Sequence, residues 1–152
     1  MILLMPYSPG KQNKSFSKTI NKIIKKVALA VFRNNKILLV RTGKQEHVFY
    51  TLGGKIKEGE SEIDCLKREV WEEIGCSIDH HSLKFLDEFE DMAHGGGILN
   101  VKLYEGKLIG KPKPSSEIVE IGWFDTKSDP KNLSIIAQRT IFPWLKEHGY
   151  IN

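Results

Sequence analysis

The stretch from Glu60 to Ile74 leaves the fold less freedom than any other part of this sequence. It holds no glycine or proline, and Ile63, Leu66, Val70 and Ile74 recur at the spacing of one helical face. That spacing predicts an amphipathic helix whose apolar stripe must be buried against another layer. Ser61 or Gly59 can start it, and Gly75 is placed to end it as a left-handed cap.

The segments on either side read as strands. Val27 to Phe32 is apolar and β-branched, Asn34-Asn35 is a turn signal, and Lys36 to Arg41 carries Ile37, Leu38, Leu39 and Val40, which predicts a hairpin. After the polar connection Thr42 to His47, a short strand is expected from Val48 to Leu52, ending where Gly53-Gly54 lets the backbone turn sharply. Beyond the helix, Leu83 to Glu90 and Ile98 to Glu105 alternate as an antiparallel pair around the turn His94-Gly95-Gly96-Gly97. Ile118 to Phe124 reads as a further strand, and Ser134 to Glu147 as a helix with a kink or break at Pro143. One helix set among strands and a second at the end predict an α/β (α+β) sandwich on a mixed sheet.

With 152 residues the chain has the size of one domain, and its 40% hydrophobic and 28% charged residues exclude a disordered or fibrous protein. Lys11, Lys14, Lys18, Lys22, Lys25 and Lys26 crowd the start, so residues 1–25 are set apart as a basic leader and 26–152 as the single folded domain. A solvated leader is the plainer reading, since only Phe16 is interleaved with the lysines; a nucleic-acid-binding arm is the alternative. The opening apolar run stops at Pro6, and no stretch approaches about 18 apolar residues, so neither a signal peptide nor a membrane span is expected. Cys65 and Cys76 lie roughly 16 Å apart along one helix, too far for a disulfide, which points to a reduced, cytoplasmic chain.

Chemistry concentrates in the run Arg68-Glu69-Val70-Trp71-Glu72-Glu73. Residues three and four apart share a helix face, so Glu69 neighbours both Glu72 and Glu73, while Val70 and Ile74 turn to the core. Like charges at this spacing destabilise a helix unless something positive answers them. Arg68 can pair with Glu72, which leaves Glu69 and Glu73 as oxygen-only acceptors of the kind that suits a hard cation such as magnesium. A solvated acidic helix face is the competing explanation for these residues alone.

The residues around them decide between the two. Gly54, five residues, Glu60, seven residues, Arg68-Glu69, Val70, one free position, Glu72-Glu73, one free position and Gly75 form a pattern that resembles the box of the Nudix hydrolase superfamily, in its MutT-like form. Cys76 departs from it where an aliphatic residue is usual, and Leu52 departs where many members have proline. The resemblance runs from about residue 26 to Trp123-Phe124. It implies an alpha/beta/alpha sandwich with a catalytic loop-helix-loop, and Mg2+ or Mn2+ held by Glu69, Glu72, Glu73 and the carbonyl of Gly53. Gly54, Glu60 and Gly75 would brace the box, and Arg68 would orient a carboxylate.

The same resemblance implies a carboxylate from a late loop acting beside Glu72 and Glu73. Glu117 is the candidate, with Glu120 as its rival. Arg41 is a candidate for a terminal phosphate, or else an exposed strand-end arginine; Tyr50 and Phe49 are candidates for a nucleobase face, one of them being core. The implied reaction is metal-dependent hydrolysis of a phosphoanhydride in a nucleoside diphosphate linked to another moiety, first a (d)NTP or modified nucleotide giving NMP and pyrophosphate. ADP-ribose, dinucleoside polyphosphates and sugar nucleotides are alternatives, as is a non-catalytic nucleotide- or RNA-binding module. A small-molecule partner is expected, with no membrane or nucleic acid, and homodimers are frequent in such families.

Overall fold

The computed structural model describes residues 22–45, 47–93 and 95–152. The lysines before residue 22, and His94 of the expected glycine-rich turn, lie outside the described residues. The strands are β1 (Ile23–Ala30), β2 (Phe32–Arg33), β3 (Lys36–Thr42), β4 (Tyr50–Lys55), β5 (Ser77–Ile78), β6 (Lys84–Met92), β7 (Ile98–Glu105), β8 (Leu108–Ile109) and β9 (Ile118–Phe124). Helix α1 covers Glu62–Ile74, and α2 covers Phe142–Glu147. Seven strands form one mixed sheet in the order β2-β3-β4-β1-β7-β6, with β9 on the other edge of β3; β5 and β8 make a small separate ladder. β1 runs parallel to β7 and antiparallel to β4.

Two apolar layers sandwich the sheet, and alternation along the strands assigns side chains to each. Val27, Leu29, Leu38 and Val40 pack beneath α1, whose Cys65, Leu66, Val70 and Ile74 are fully buried. Ala28, Ala30, Ile37 and Leu39 face the other way, onto Ile136, Ala137, Ile141 and Leu145 of the C-terminal helical segment. Because both faces are covered, these strands read as unbroken apolar runs instead of alternating ones. The expected sandwich is present. Each fully buried aliphatic side chain contributes about 2 kcal/mol by leaving water, so α1 is held in place by its apolar stripe. Its acidic residues lie off that stripe, Glu72 exposed and Glu69 and Glu73 partly buried.

Several expected elements shift. β1 begins at Ile23, so Lys25, the last residue of the expected leader, is a strand residue, and its backbone and that of Lys26 ladder with Asn100 and Val101 of β7. β4 does not end at Gly53-Gly54 but runs through them, because Ala28 and Val27 of β1 sit opposite and the missing side chains permit a close approach. Asn34 and Asn35 both take positive φ, 51° and 59°, as a two-residue hairpin turn requires.

No break occurs at Pro143. A π-helical turn, Ala137–Ile141, precedes it, with the Phe142 N–H donating to the carbonyl of Ala137 five residues back. The wider turn takes up the missing proline donor within the first turn of α2. Among the described residues no helix is long and apolar enough to cross a membrane.

Cys65 and Cys76 are free and buried. Burial pushes the Cys65 thiol up to about 12 and raises that of Cys76. Neither is expected to react with iodoacetamide at mildly alkaline pH in the native state, while both should react once guanidinium unfolds the chain. Mass spectrometry of the alkylated protein checks this, and labelling of native protein at either site would contradict the packing.

Candidate active site

α1 starts where the sequence allows. Ser61 is extended and its hydroxyl accepts from the Asp64 N–H, while Gly75 closes the helix in the left-handed conformation at φ 68°. Glu60 therefore stands just outside the helix, its carboxylate turned back onto Arg68. The guanidinium makes a fork, Nε to Glu60 Oε2 at 2.8 Å and Nη2 to Glu60 Oε1 at 3.0 Å. Nη1 reaches Glu69 at 2.8 Å and Glu72 at 3.2 Å, and Nη2 also reaches the carbonyl of Lys55. Arg68 thus answers the like charges of the helix and ties it to the end of β4. Its hydrogen bonds hold the Glu60 carboxyl down at about 2, and Glu60 in turn raises Arg68.

Glu73 is treated differently. Its Oε1 accepts the backbone N–H of Gly53 at 2.8 Å. Burial pushes its carboxyl up to about 8 despite that bond, and the charge of Glu69 adds to the rise. Glu69 and Glu73 line a cleft of about 840 Å³, together with Gly53, Gly54, Tyr50 and Lys26. Its volume falls within the range usual for small-molecule sites. A smaller pocket of about 230 Å³ adjoins it and gathers Glu69, Glu72, Glu73 and Glu117 with Thr42 and Ser116.

Glu117 comes to this pocket because its loop is docked on the end of α1. The N–H groups of Lys113 and Ser115 donate to the carbonyls of Ile74 and Glu73, both at 3.0 Å, satisfying the last turn of the helix. Ser116 then turns at φ 55°, and Glu117 follows. Glu120 is elsewhere, its Oε2 accepting from Arg41 Nε at 2.9 Å and Nη2 at 2.8 Å.

Of the residues singled out in the sequence, Gly53, Gly54, Glu69, Glu72, Glu73, Glu117 and Tyr50 surround the two pockets, and Arg68 and Glu60 stand behind the carboxylates. Arg41 is not brought in. It pairs with Glu120 across the β3–β9 ladder, and Thr42, beside a bulge in that ladder, lines both pockets instead. Phe49 is the core member of its pair, packed on Phe124 with ring centroids 4.6 Å apart. Thr42, Ser116 and Lys26 were missed by sequence reasoning.

The donors around the small pocket are oxygens only, as a hard divalent cation prefers. Among the described residues, no three acidic, histidine or cysteine side chains converge as they stand on a point that would hold an ion. Glu69 is turned onto Arg68 and Glu73 onto the Gly53 amide. The donor set fits such a cation in kind.

The NUDIX domain family model matches residues 24–145. Over 120 residues the chain is 31% identical to the 8-oxo-dGTP diphosphatase of Escherichia coli, covering 74% of this chain and 93% of that protein. It is 32% identical over 111 residues to the m7GpppN-mRNA hydrolase of Saccharomyces cerevisiae, and 29% identical over 102 residues to the NAD-capped RNA hydrolase NudC of Chromobacterium violaceum. The chain spans only 11% and 37% of the lengths of these last two. Among solved structures, the MutT NUDIX hydrolase of Burkholderia pseudomallei superposes with a TM-score of 0.69 at 20% identity, over 82% of this chain and 99% of that one. A family match that begins in β1 and reaches into α2, on a fold shared with that hydrolase, places the chain in the NUDIX domain family.

Proposed function

We propose that the protein is a divalent-metal-dependent pyrophosphohydrolase that cuts a phosphoanhydride in a nucleotide, with a (d)NTP or a modified nucleotide as first substrate, giving NMP and pyrophosphate. The observation that carries this reading is the adjacency of the two pockets. Glu69 and Glu73 line both, a nucleotide-sized cleft on one side and the nest of carboxylates with Glu117 on the other. The likeness to an 8-oxo-dGTP diphosphatase over most of both chains supports a small nucleotide over a polymer.

Glu69, Glu72, Glu73 and the Gly53 carbonyl would hold the cation. When bound, it supplies neutralisation of the phosphate charge and a lower pKa for water. The rest falls to the chain. Tyr50 and the apolar side chains Ile24, Leu99 and Ile136 wall the cleft where a nucleoside can lie. Glu117, exposed at the pocket edge, takes the proton as water attacks one phosphorus and the bond to the bridging oxygen breaks. Arg68 keeps Glu69 and Glu72 aimed, and Glu60 keeps Arg68 aimed.

A panel of dATP, dGTP, 8-oxo-dGTP, ADP-ribose, a dinucleoside tetraphosphate, a sugar nucleotide and capped RNA, incubated with magnesium and scored for NMP, pyrophosphate and orthophosphate, tests the reading. Cleavage at the phosphoanhydride is expected, and no turnover of any member would overturn it. For whichever substrate is cleaved, Arg68→Ala is expected to raise the magnesium concentration for half-maximal rate roughly 10- to 100-fold. Arg68→Lys should rescue little, because an ammonium cannot make the fork to Glu60. Unchanged magnesium activation in Arg68→Ala would remove the arginine from this role.

A further inference from the structure

Lys26 differs from every other lysine described in the fold. All the others are exposed except Lys102, and Lys102 is held by Glu62 at 2.5 Å. Lys26 is partly buried in the wall of the large cleft. Among the described residues its ammonium has neither a carboxylate within ion-pair distance nor a hydrogen-bond partner. Withdrawing an ammonium from water without a direct ion pair is unfavourable, and burial outweighs the more distant charges of Glu73 and Glu69. The fold aggravates this by setting Lys55 directly across the β1–β4 pair, on the same face.

The position of Lys26 relative to the carboxylates indicates what should answer it. Two residues further along β1, on the same face, Ala28 lies opposite Gly53, the residue whose N–H holds Glu73. Lys26 is thus rooted about 7 Å along the strand from the seat of Glu73. Lys22, Lys44 and Lys55 line the same cleft, which thus carries cationic side chains beside the anionic Glu69 and Glu73. A ligand that answers both needs a multiply charged anionic part for the lysines and a part bridged by a cation to the glutamates. A phosphate chain satisfies both.

We propose that Lys26, assisted by Lys55, binds the phosphate chain of the substrate. This rests on the pyrophosphohydrolase reading given above, but its test does not need turnover. Calorimetric titration with inorganic tripolyphosphate, in magnesium buffer, probes the phosphate seat without a base. Lys26→Met is expected to weaken tripolyphosphate binding by about tenfold or more, and Lys26→Arg to stay within about threefold of the native protein. The ligand-free melting temperature of Lys26→Met should not fall, since the variant removes a desolvated ammonium that makes no direct ion pair. Affinity within twofold of the native protein, or a native protein that does not bind tripolyphosphate, overturns the assignment. A lower melting temperature with unchanged binding would make Lys26 a structural residue and overturn it equally. Failure of the nucleotide panel with the titration result intact would instead overturn the choice of reaction and leave the phosphate seat standing.

Discussion

Glu73→Gln is expected to lower turnover of the cleaved phosphoanhydride at least about a hundredfold without unfolding the protein. Glutamine keeps the shape of the side chain, and its amide oxygen can still accept the Gly53 N–H. What it loses is the charge that, on the proposed reading, would answer a divalent cation. Because Glu73 lies partly buried between Glu69 and the end of β4, no neighbouring carboxylate can take over its place from the same direction. The check is steady-state turnover at saturating magnesium beside a melting curve. Near-normal turnover would remove Glu73 from the metal site, and a collapsed melting curve would make its role structural.

The same residue sets a pH dependence whose sign can be worked out. Burial raises the folded-state carboxyl to about 8, from an ordinary value of 4.5. A raised folded value means that the native state binds this proton more tightly than the unfolded chain. The resulting stability is fully present below 4.5 and is lost as pH rises through 8. The metal-free protein should therefore lose melting temperature across that window, and Glu73→Gln should flatten the loss. If Glu73 holds the cation as proposed, magnesium would bind its ionised form, and its stabilising effect should grow over the same range. A native melting temperature that rises steadily from pH 5 to 8 in chelator would contradict the burial of Glu73.

The layers and the helix were legible in the sequence because they follow from local periodicity. The stripe of Leu66, Val70 and Ile74 can be read without knowing what covers it, and so can the caps Ser61 and Gly75. Three contacts were not legible, each made by residues distant in the chain. Lys26 was grouped with the lysines that crowd the start of the chain, since only its pairing with β4 and β7, both distant in sequence, brings it into the sheet. Arg41 was open to two readings, a phosphate ligand or an exposed strand-end arginine, since nothing local reveals that β9 lays Glu120 across from it. The resemblance put Glu117 ahead of Glu120, but the docking of its loop on the carbonyls of α1 is a backbone contact that no side-chain pattern records. Gly53-Gly54 was recognised as special for the wrong physical reason: the pair was read as a turn, whereas it permits a close approach inside a strand.

That correction separates two adjacent substitutions which a turn would have made equivalent. Gly53→Ala is expected to destabilise the protein by about 4 kcal/mol, enough to leave little folded chain. A Cβ there would stand 2.1 Å from the Val27 carbonyl oxygen and 2.8 Å from the Ala28 Cα. Both obstacles are backbone of β1, fixed by its ladders to β4 and β7, and the φ of 149° at Gly53 is itself strained for any L side chain. Gly54→Ala meets a different obstacle, the Glu69 carboxylate, with Cδ at 2.4 Å. That group is the free end of a flexible side chain and can swing away. The fold should survive with a melting temperature within a few degrees of native, while the displaced Glu69 leaves Arg68 and the small pocket and takes turnover with it. Thermal melts and turnover of the two variants side by side distinguish the cases. If Gly53→Ala melts like the native protein, β4 does not approach β1 as closely as described. If Gly54→Ala turns over normally, Glu69 is not needed where the structure holds it.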